Sequence, residues 1–137
     1  MVANINHRKI RHGDILKILP EVARQLHEIH EKGFIHVDLK ADNIMVEIPD
    51  KYSKNDSPKV RIIDLGMARK EGKFNSLRFR CNSWYAPEYN PGAPATISAD
   101  IYSLGALVEY STVNMTNRLP YNLMRLIRKM KSCNPKR

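Results

Sequence analysis

The feature that most constrains this chain is a short polar segment at residues 36–43, which reads HVDLKADN. Before it, apolar residues recur at three- and four-residue steps, which predicts an amphipathic helix ending near Lys32. After it, the apolar run Ile44–Ile48 predicts a strand. A polar segment held between two apolar elements is typical of a loop that carries binding or catalytic side chains. We therefore interpret the segment, called here the 36–43 loop, as a candidate catalytic loop.

The helix before the 36–43 loop is predicted to start near Asp14, a suitable capping residue. Pro20 interrupts the pattern, so the helix either begins there or is kinked at that residue. Gly33 follows the last predicted turn and is a suitable terminator. The apolar positions of this helix are Leu16, Leu19, Val22, Ala23, Leu26 and Ile29.

After the loop, the runs Ile44–Ile48 and Val60–Ile63 predict two strands that form a small hairpin around a polar turn. Further along, a helix is predicted over about 99–112, with Ser98 as its cap. This helix is apolar on most of its surface, which predicts that it is buried. A last helix is predicted to present one apolar face, made of Leu123, Leu126, Ile127 and Met130, opposite a basic face.

Charge and composition narrow the class of function. The chain has 137 residues and a formal net charge of +9, which is enough length for one compact domain. Its basic residues are dispersed and do not alternate with aromatic residues, which argues against direct nucleic-acid binding. No run is long enough to span a bilayer, and the first residues do not resemble a secretory signal. Cys81 and Cys133 lack metal-type spacing and read as reduced thiols, so we expect an intracellular, cytoplasmic protein.

The polar side chains in and near the loop suit phosphoryl transfer. That reaction needs oxygen ligands for Mg²⁺, a carboxylate that orients the attacking hydroxyl, and a cation at the transferring phosphate. Asp64 ends the second strand and precedes Gly66, which permits a sharp turn. Because a hairpin pairs the two strands, it can bring Asn43 and Asp64 together as Mg²⁺ ligands. Asp38 and Lys40 share the loop with Asn43, so base and cation are preset relative to the metal.

The order of these motifs resembles the C-terminal lobe of a eukaryotic protein kinase of the serine/threonine type. The resemblance rests on HVDLKADN at residues 36–43, Asp64-Leu65-Gly66, Ala86-Pro87-Glu88, the stretch from Asp100 to Gly105, and Asn134-Pro135-Lys136-Arg137 at the end. It implies a mainly helical α+β fold, a kinase-like C-lobe with a small β-hairpin, over residues 14–137. Residues 1–13 would then be an irregular basic N-terminus. The implied activity is Mg·ATP-dependent phosphorylation of Ser or Thr in protein substrates.

Carried over residue by residue, the resemblance implies roles for the loop and the hairpin. Asp38 would accept or orient the substrate hydroxyl, and Lys40 would contact the γ-phosphate of ATP. Asn43 and Asp64 would bind Mg²⁺. Met45 would lie against the adenine ring of ATP.

Four further positions would shape the site without reacting. His36 and Leu65 would pack in the apolar column that links the two lobes of a kinase. Gly66 would provide the turn after the metal-binding carboxylate. Asp100 would hydrogen-bond the backbone of the catalytic loop.

The activation segment and the end of the chain supply the remaining implied roles. Glu88 would form a buried ion pair with Arg137, and Ser76 and Ser83 are candidate phosphorylation sites. Val37 stands where many kinases have the Arg that contacts activation-loop phosphate, so activation through that Arg is not expected.

The resemblance covers only about half of a kinase domain. The sequence contains no Gly-rich phosphate loop, no strand lysine of the Val-Ala-Ile-Lys type and no partner glutamate helix. We therefore expect an absent N-lobe and little or no kinase activity from this chain by itself. We also expect an exposed apolar lobe interface, which the missing lobe or another partner would cover. Whether the chain is a fragment of a longer gene product stays open.

Two other interpretations stay open at this point. The first is a non-catalytic kinase-like interaction module that binds kinase substrates or a partner lobe without chemistry. The second is a basic protein that binds nucleic acid or another acidic surface, and its affinity would fall steeply with salt.

Overall fold

The computed structural model describes six stretches of the chain. They are residues 3–4, 12–48, 57–74, 83–90, 92–113 and 119–132. Within them the chain forms three α-helices, five short strands and two single-turn 3-10 helices. The observed fold is therefore mainly helical with a little sheet, as the sequence predicts.

The first helix, α1, spans His12–Glu31 and runs through Pro20 without interruption. It begins two residues before the predicted start at Asp14. The alternative in which the helix starts at Pro20 is therefore wrong. The Gly33 amide donates to the His30 carbonyl at 2.8 Å, and Gly33 has a φ of +75°. Because glycine adopts this left-handed conformation without steric cost, it ends the helix as predicted.

The strands form two small sheets. They are β1 (Ala3–Asn4), β2 (Phe34–Ile35), β3 (Ile44–Glu47), β4 (Lys59–Ile62) and β5 (Arg69–Lys70). β3 and β4 are antiparallel, with Ile44 opposite Ile62, so the predicted hairpin is confirmed. β1 lies parallel to β3, which corrects the prediction that all of residues 1–13 are irregular. β2 pairs with β5 in the second sheet, so the 36–43 loop connects one sheet to the other.

The largest apolar core lies between α1, the hairpin and the later helices. Its buried members are Ile18, Val22, Leu26, Leu39, Ala41, Ile44, Val46, Ile48, Leu104, Leu107, Val108 and Ile127. On α1 the buried stripe passes through Ile18, whereas Leu16, at 58% exposed, and Ala23 are both exposed and were wrongly assigned to the apolar face. Ile18, Val22 and Leu26 follow one another at four-residue steps, which places them on one side of the helix.

One polar side chain on α1 fixes the position of the hairpin. The Gln25 amide nitrogen donates to the Val60 carbonyl at 2.6 Å, and its amide oxygen accepts from the Ile62 amide at 3.0 Å. These two bonds satisfy backbone groups of β4 that no further strand pairs within the described residues. Gln25 thus acts as a substitute for a neighbouring strand.

The second helix, α2, spans Ile97–Thr112, and the third, α3, spans Tyr121–Met130. Thr96 caps α2 by accepting from the Ala99 amide at 3.2 Å, so the prediction of Ser98 as the cap is wrong by two residues. Residues 103–108 of α2 are all buried, as its apolar composition predicts. Gly105 allows α3 to approach closely, because a Cβ at that position would lie 2.9 Å from the Cβ of Met130.

The face of α3 differs in part from the predicted one. Ile127 is buried, and Leu123 and Met130 pack against the core, but Leu126 is 50% exposed. Lys131 follows the helix and forms an ion pair with Glu109 of α2. In the stretches that the structure describes, none of these helices is long and apolar enough to cross a membrane.

Candidate functional site

The 36–43 loop begins with an unusual backbone conformation. Val37 has a φ of +74°, a left-handed conformation that a β-branched residue rarely adopts and that costs about 1–3 kcal/mol. The carboxylate of Asp100 on α2, which is fully buried, accepts from the backbone amides of His36 at 2.7 Å and Val37 at 2.8 Å. His30 of α1 lies against the same carboxylate, with Nε2 2.9 Å from Oδ2. Asp100 therefore ties the strained end of the loop to two helices.

Asp38 lies at the centre of the loop and is almost fully buried. Its Oδ2 accepts from Lys40 Nζ at 2.7 Å and from Asn43 Nδ2 at 3.1 Å. Asn43 also donates to the Asp38 backbone carbonyl at 2.8 Å, so its side chain closes the loop on itself. The loop thus brings together one carboxylate, one ammonium and one amide, the three side chains that sequence spacing placed in it.

Tyr85 completes the surroundings of this carboxylate from a distant part of the chain. Its hydroxyl donates to Asp38 Oδ1 at 2.6 Å, across a sequence separation of 47 residues. Burial alone would raise the pKa of Asp38, but hydrogen bonds from Lys40 and Tyr85 outweigh it and hold that pKa below its ordinary value. Burial and the bond to Asp38 together raise the pKa of the Tyr85 phenol well above its ordinary value. Tyr85 could not be predicted from the sequence, because no local pattern reports a contact of this range.

Asn43 and Asp64 lie at the same end of the hairpin. The Ile63 amide donates to the Asn43 carbonyl at 2.9 Å, so the residue before Asp64 is paired with Asn43 through the backbone. Asp64 is exposed and has a φ of +61°, and its carboxylate accepts from the Gly66 amide at 3.2 Å. The left-handed residue of this turn is therefore Asp64, whereas Gly66 was predicted to provide the turn. Gly66 matters for space, because a Cβ there would lie 3.1 Å from Asp64 Oδ1.

These two residues fit a magnesium ion better than a metal held entirely by protein. In the part of the chain that the structure describes, no cluster of three or more His, Cys, Asp or Glu could hold a metal. Mg²⁺ commonly takes one or two protein oxygens and fills its other positions with water and phosphate oxygens. The carboxylate of Asp64 and the amide oxygen of Asn43 are a donor set of that kind. The nitrogen of the Asn43 amide already donates to Asp38, which leaves its oxygen as the atom that could face a cation.

Three further residues singled out in the sequence lie near the hairpin. Met45 is half-buried in β3. His36 is fully buried, and its Nε2 donates to the Ile63 carbonyl at 3.3 Å. Leu65 is 55% exposed. Among the described residues it therefore lacks the apolar packing that the resemblance predicts for it.

The expected positions in the activation segment are described only in part. Glu88 is exposed, so the prediction of a buried carboxylate at this position is wrong. Its expected partner, Arg137, lies outside the described residues, as do Ser76 and Cys81. Ser83 is exposed.

Comparison with known proteins places these residues in a family. A family model described as the protein kinase domain matches residues 2–133. A probable serine/threonine-protein kinase of Dictyostelium discoideum is 31% identical over 109 residues, covering 76% of this chain and 11% of that protein. Probable serine/threonine-protein kinase 2 of Plasmodium falciparum is 35% identical over 94 residues, covering 67% of this chain and 17% of that protein.

A third relative carries a broader name. The dual specificity protein kinase zakA of Dictyostelium discoideum is 26% identical over 110 residues, covering 75% of this chain and 14% of that protein. The chain therefore spans less than a fifth of the length of each of these three relatives. Since the family model covers nearly all of the chain and the relatives are protein kinases of the serine/threonine or dual-specificity kind, the chain belongs to the protein kinase family.

Proposed function

We propose that this chain is the C-lobe of a serine/threonine protein kinase and carries its catalytic loop and metal residues. The proposed reaction is Mg·ATP-dependent transfer of the γ-phosphoryl group to a Ser or Thr hydroxyl of a protein substrate. The observation that carries the proposal is the buried Asp38 carboxylate, which shares one oxygen between Lys40 and Asn43. The serine/threonine kinase names of two relatives support the choice of acceptor.

In this reaction Asp38 would hold the acceptor hydroxyl and take its proton. Its lowered pKa keeps it ionised at neutral pH, so it is an acceptor of hydrogen bonds rather than a donor. Lys40 Nζ, 2.7 Å from Asp38 Oδ2, would contact the γ-phosphate and offset the negative charge that the phosphate brings next to the carboxylate. Asp100 holds the backbone at the start of the loop that carries both side chains. Little further ordering of the loop would therefore be needed during the reaction.

ATP supplies the phosphoryl group when it is bound, and Mg²⁺ neutralises its charge. Asn43 and Asp64 would hold the ion, and Met45, in the strand that follows Asn43, would lie against the adenine ring. Asp64 is exposed, so its carboxylate is accessible to a ligand. Asn43, by contrast, is buried, and its side chain already donates a hydrogen bond to Asp38.

Phosphoryl transfer also depends on groups that position ATP. The sequence contains no Gly-rich loop and no strand lysine, so we expect transfer by these residues alone to be weak. Leu65, which follows Asp64 and is 55% exposed, is an apolar residue that we expect an N-lobe to cover. Val37 carries no charge, so a phosphate on Ser76 or Ser83 would have no Arg at that position to bind.

The test is transfer of labelled γ-phosphate from Mg·ATP to a pool of peptides with a central Ser or Thr. We expect slow transfer that Asp38→Asn abolishes and that Glu71→Gln, which removes an exposed carboxylate elsewhere, leaves unchanged. Transfer that survives Asp38→Asn would contradict the proposed role of Asp38. The interaction-module alternative predicts that partner binding is unchanged by Asp38→Asn and that no Mg·ATP-dependent stabilisation occurs.

A further inference from the structure

The contact between Tyr85 and Asp38 has the chemistry of an acceptor bound to a kinase base. In the proposed reaction a Ser or Thr hydroxyl of the substrate donates a hydrogen bond to the Asp38 carboxylate. In the structure the hydroxyl of Tyr85 already donates to that carboxylate, at 2.6 Å. This distance is in the range of charge-assisted hydroxyl–carboxylate bonds, which are about twice as strong as neutral ones.

Both oxygens of Asp38 already accept hydrogen bonds in the structure. Oδ2 accepts from both Lys40 and Asn43, and Oδ1 accepts from Tyr85. Lys40 and Asn43 belong to the loop itself, so their bonds are part of its folded form. Among the donors that the described residues supply to Asp38, Tyr85 is the one that comes from a separate segment. The oxygen it occupies is therefore the one that an acceptor hydroxyl would use.

The backbone around Tyr85 is fixed, so this contact is more than a chance approach of a mobile side chain. The carbonyl of Trp84 accepts from Ser103 Oγ of α2 at 2.7 Å. On the other side Ala86 is buried in a second core cluster that also contains Val37 of the loop. Tyr85 itself packs against this cluster, so its phenol would leave Asp38 by a side-chain rotation that gives up this packing while the backbone stays anchored.

The protonation state of the Tyr85 phenol also favours its contact with Asp38. The pKa of Tyr85 is raised by burial and by its bond to Asp38, so the hydroxyl keeps its proton over the whole neutral range. It is thus a permanent donor and does not release the carboxylate as pH changes near 7. Only a competing donor, or a movement of Tyr85, would free Oδ1.

We propose that Tyr85 is an internal occupant of the acceptor position, which a substrate hydroxyl must displace from Asp38 before phosphoryl transfer. The inference rests on the proposed function, because it takes Asp38 as the group that binds the acceptor. It adds that the acceptor side of the site is closed in this structure by a residue of the chain itself. A hydrogen bond to a charged group is worth about 1.5–3 kcal/mol, so losing the competitor should strengthen acceptor binding by about 10- to 100-fold.

The test compares binding of a fluorescent peptide pool with a central Ser or Thr to the chain and to Tyr85→Phe, by fluorescence anisotropy. The substitution removes only the hydroxyl. Tyr121→Phe is the matched control, because Tyr121 is 70% exposed on α3. We expect Tyr85→Phe to bind the pool at least tenfold more tightly and Tyr121→Phe to bind it as the unaltered chain does. Equal or weaker binding by Tyr85→Phe would overturn the inference and make Tyr85 a residue that only positions Asp38.

A second measurement needs no substitution at Tyr85. Saturating the unaltered chain with the same peptide pool should move the ring resonances of Tyr85 in an NMR spectrum and leave those of Tyr121 unchanged. Unmoved Tyr85 resonances at saturation would also overturn the inference. Labelled phosphate transfer, run in parallel with Asp38→Asn, reports on the proposed function alone. Loss of Asp38 dependence there would refute the proposed reaction, while the peptide-binding comparison would still decide whether Tyr85 occupies the carboxylate.

Discussion

Replacing Asp100 should destabilise the fold strongly, because its carboxylate accepts hydrogen bonds from two backbone amides of a strained turn. Asp100 is fully buried and accepts from the amides of His36 and Val37. Asp100→Ala would leave two buried N–H groups without this acceptor, at about 1–3 kcal/mol each. The expected loss in the free energy of unfolding is therefore about 2–6 kcal/mol. The total free energy of unfolding of a domain is about 5–15 kcal/mol, so this loss would be a large part of it. The same carboxylate also helps to hold Val37 in its strained left-handed conformation, with a φ of +74°.

Asp100→Asn separates hydrogen bonding from charge. The amide keeps one oxygen for one of the two backbone donors but turns an NH₂ group toward the other. We expect it to lose roughly half as much stability as Asp100→Ala. Urea unfolding followed by circular dichroism measures both variants, with Glu71→Gln as the control that removes an exposed carboxylate. If Asp100→Ala stayed within about 0.5 kcal/mol of that control, the claim that Asp100 holds the loop would be refuted.

Three other predictions concern packing, the hairpin and pH. Gly105→Ala should lower the melting temperature, because its Cβ would lie 2.9 Å from the Met130 Cβ, whereas Gly13→Ala, with open space around it in α1, should raise it slightly. Gln25→Ala should cost about 1–3 kcal/mol in urea unfolding, because it strips two bonds from β4. Asp38 has a lowered pKa, so its contribution to stability is present above the ordinary value of 3.8 and is lost as pH falls through the lower folded value. Asp38→Asn should therefore lose less stability on acidification than the unaltered chain does.

These three predictions fail in different ways. Equal melting shifts for the two glycine variants would show that α2 and α3 do not approach as closely as the structure has them. An unchanged unfolding free energy in Gln25→Ala would mean that water replaces the side chain at the edge of β4. Parallel acid-unfolding curves for Asp38→Asn and the unaltered chain would show that the Asp38 carboxylate gains nothing from its partners on folding.

Local periodicity explains why the helices and the hairpin could be predicted. The three- and four-residue steps of α1, the two strands around a polar turn and the glycine after the helix each depend on residues close together in sequence. The details that were missed depend on competition between neighbours. Both Thr96 and Ser98 can cap a helix, and the start of α2 at Ile97 decides between them. Likewise Leu16 and Ile18 are both apolar, and only the direction of packing buries the second.

The residues of the candidate site also differ in how far they could be predicted from the sequence. Asp38, Lys40 and Asn43 could be placed together because they share one short loop, and the loop could be recognised by its spacing. The contact of Tyr85 with Asp38 crosses 47 residues, and nothing in a local pattern encodes it. The turn at Asp64 was misassigned for a physical reason. Gly66 is the residue with the greatest conformational freedom, yet the left-handed conformation falls on Asp64, whose side chain compensates by accepting from the Gly66 amide.

Asn43 and Asp64 are the residues that we propose hold the metal of a phosphoryl-transfer site next to Asp38. The most direct measurement uses Mn²⁺ in place of Mg²⁺, because bound Mn²⁺ broadens the NMR signals of nearby groups. With ATP present, substoichiometric Mn²⁺ should broaden the amide signals of Ile44 and Ile63 and leave those of α3 sharp, and Asp64→Asn should weaken the effect at least tenfold. Broadening spread over the exposed carboxylates, or unchanged by Asp64→Asn, would contradict the claim.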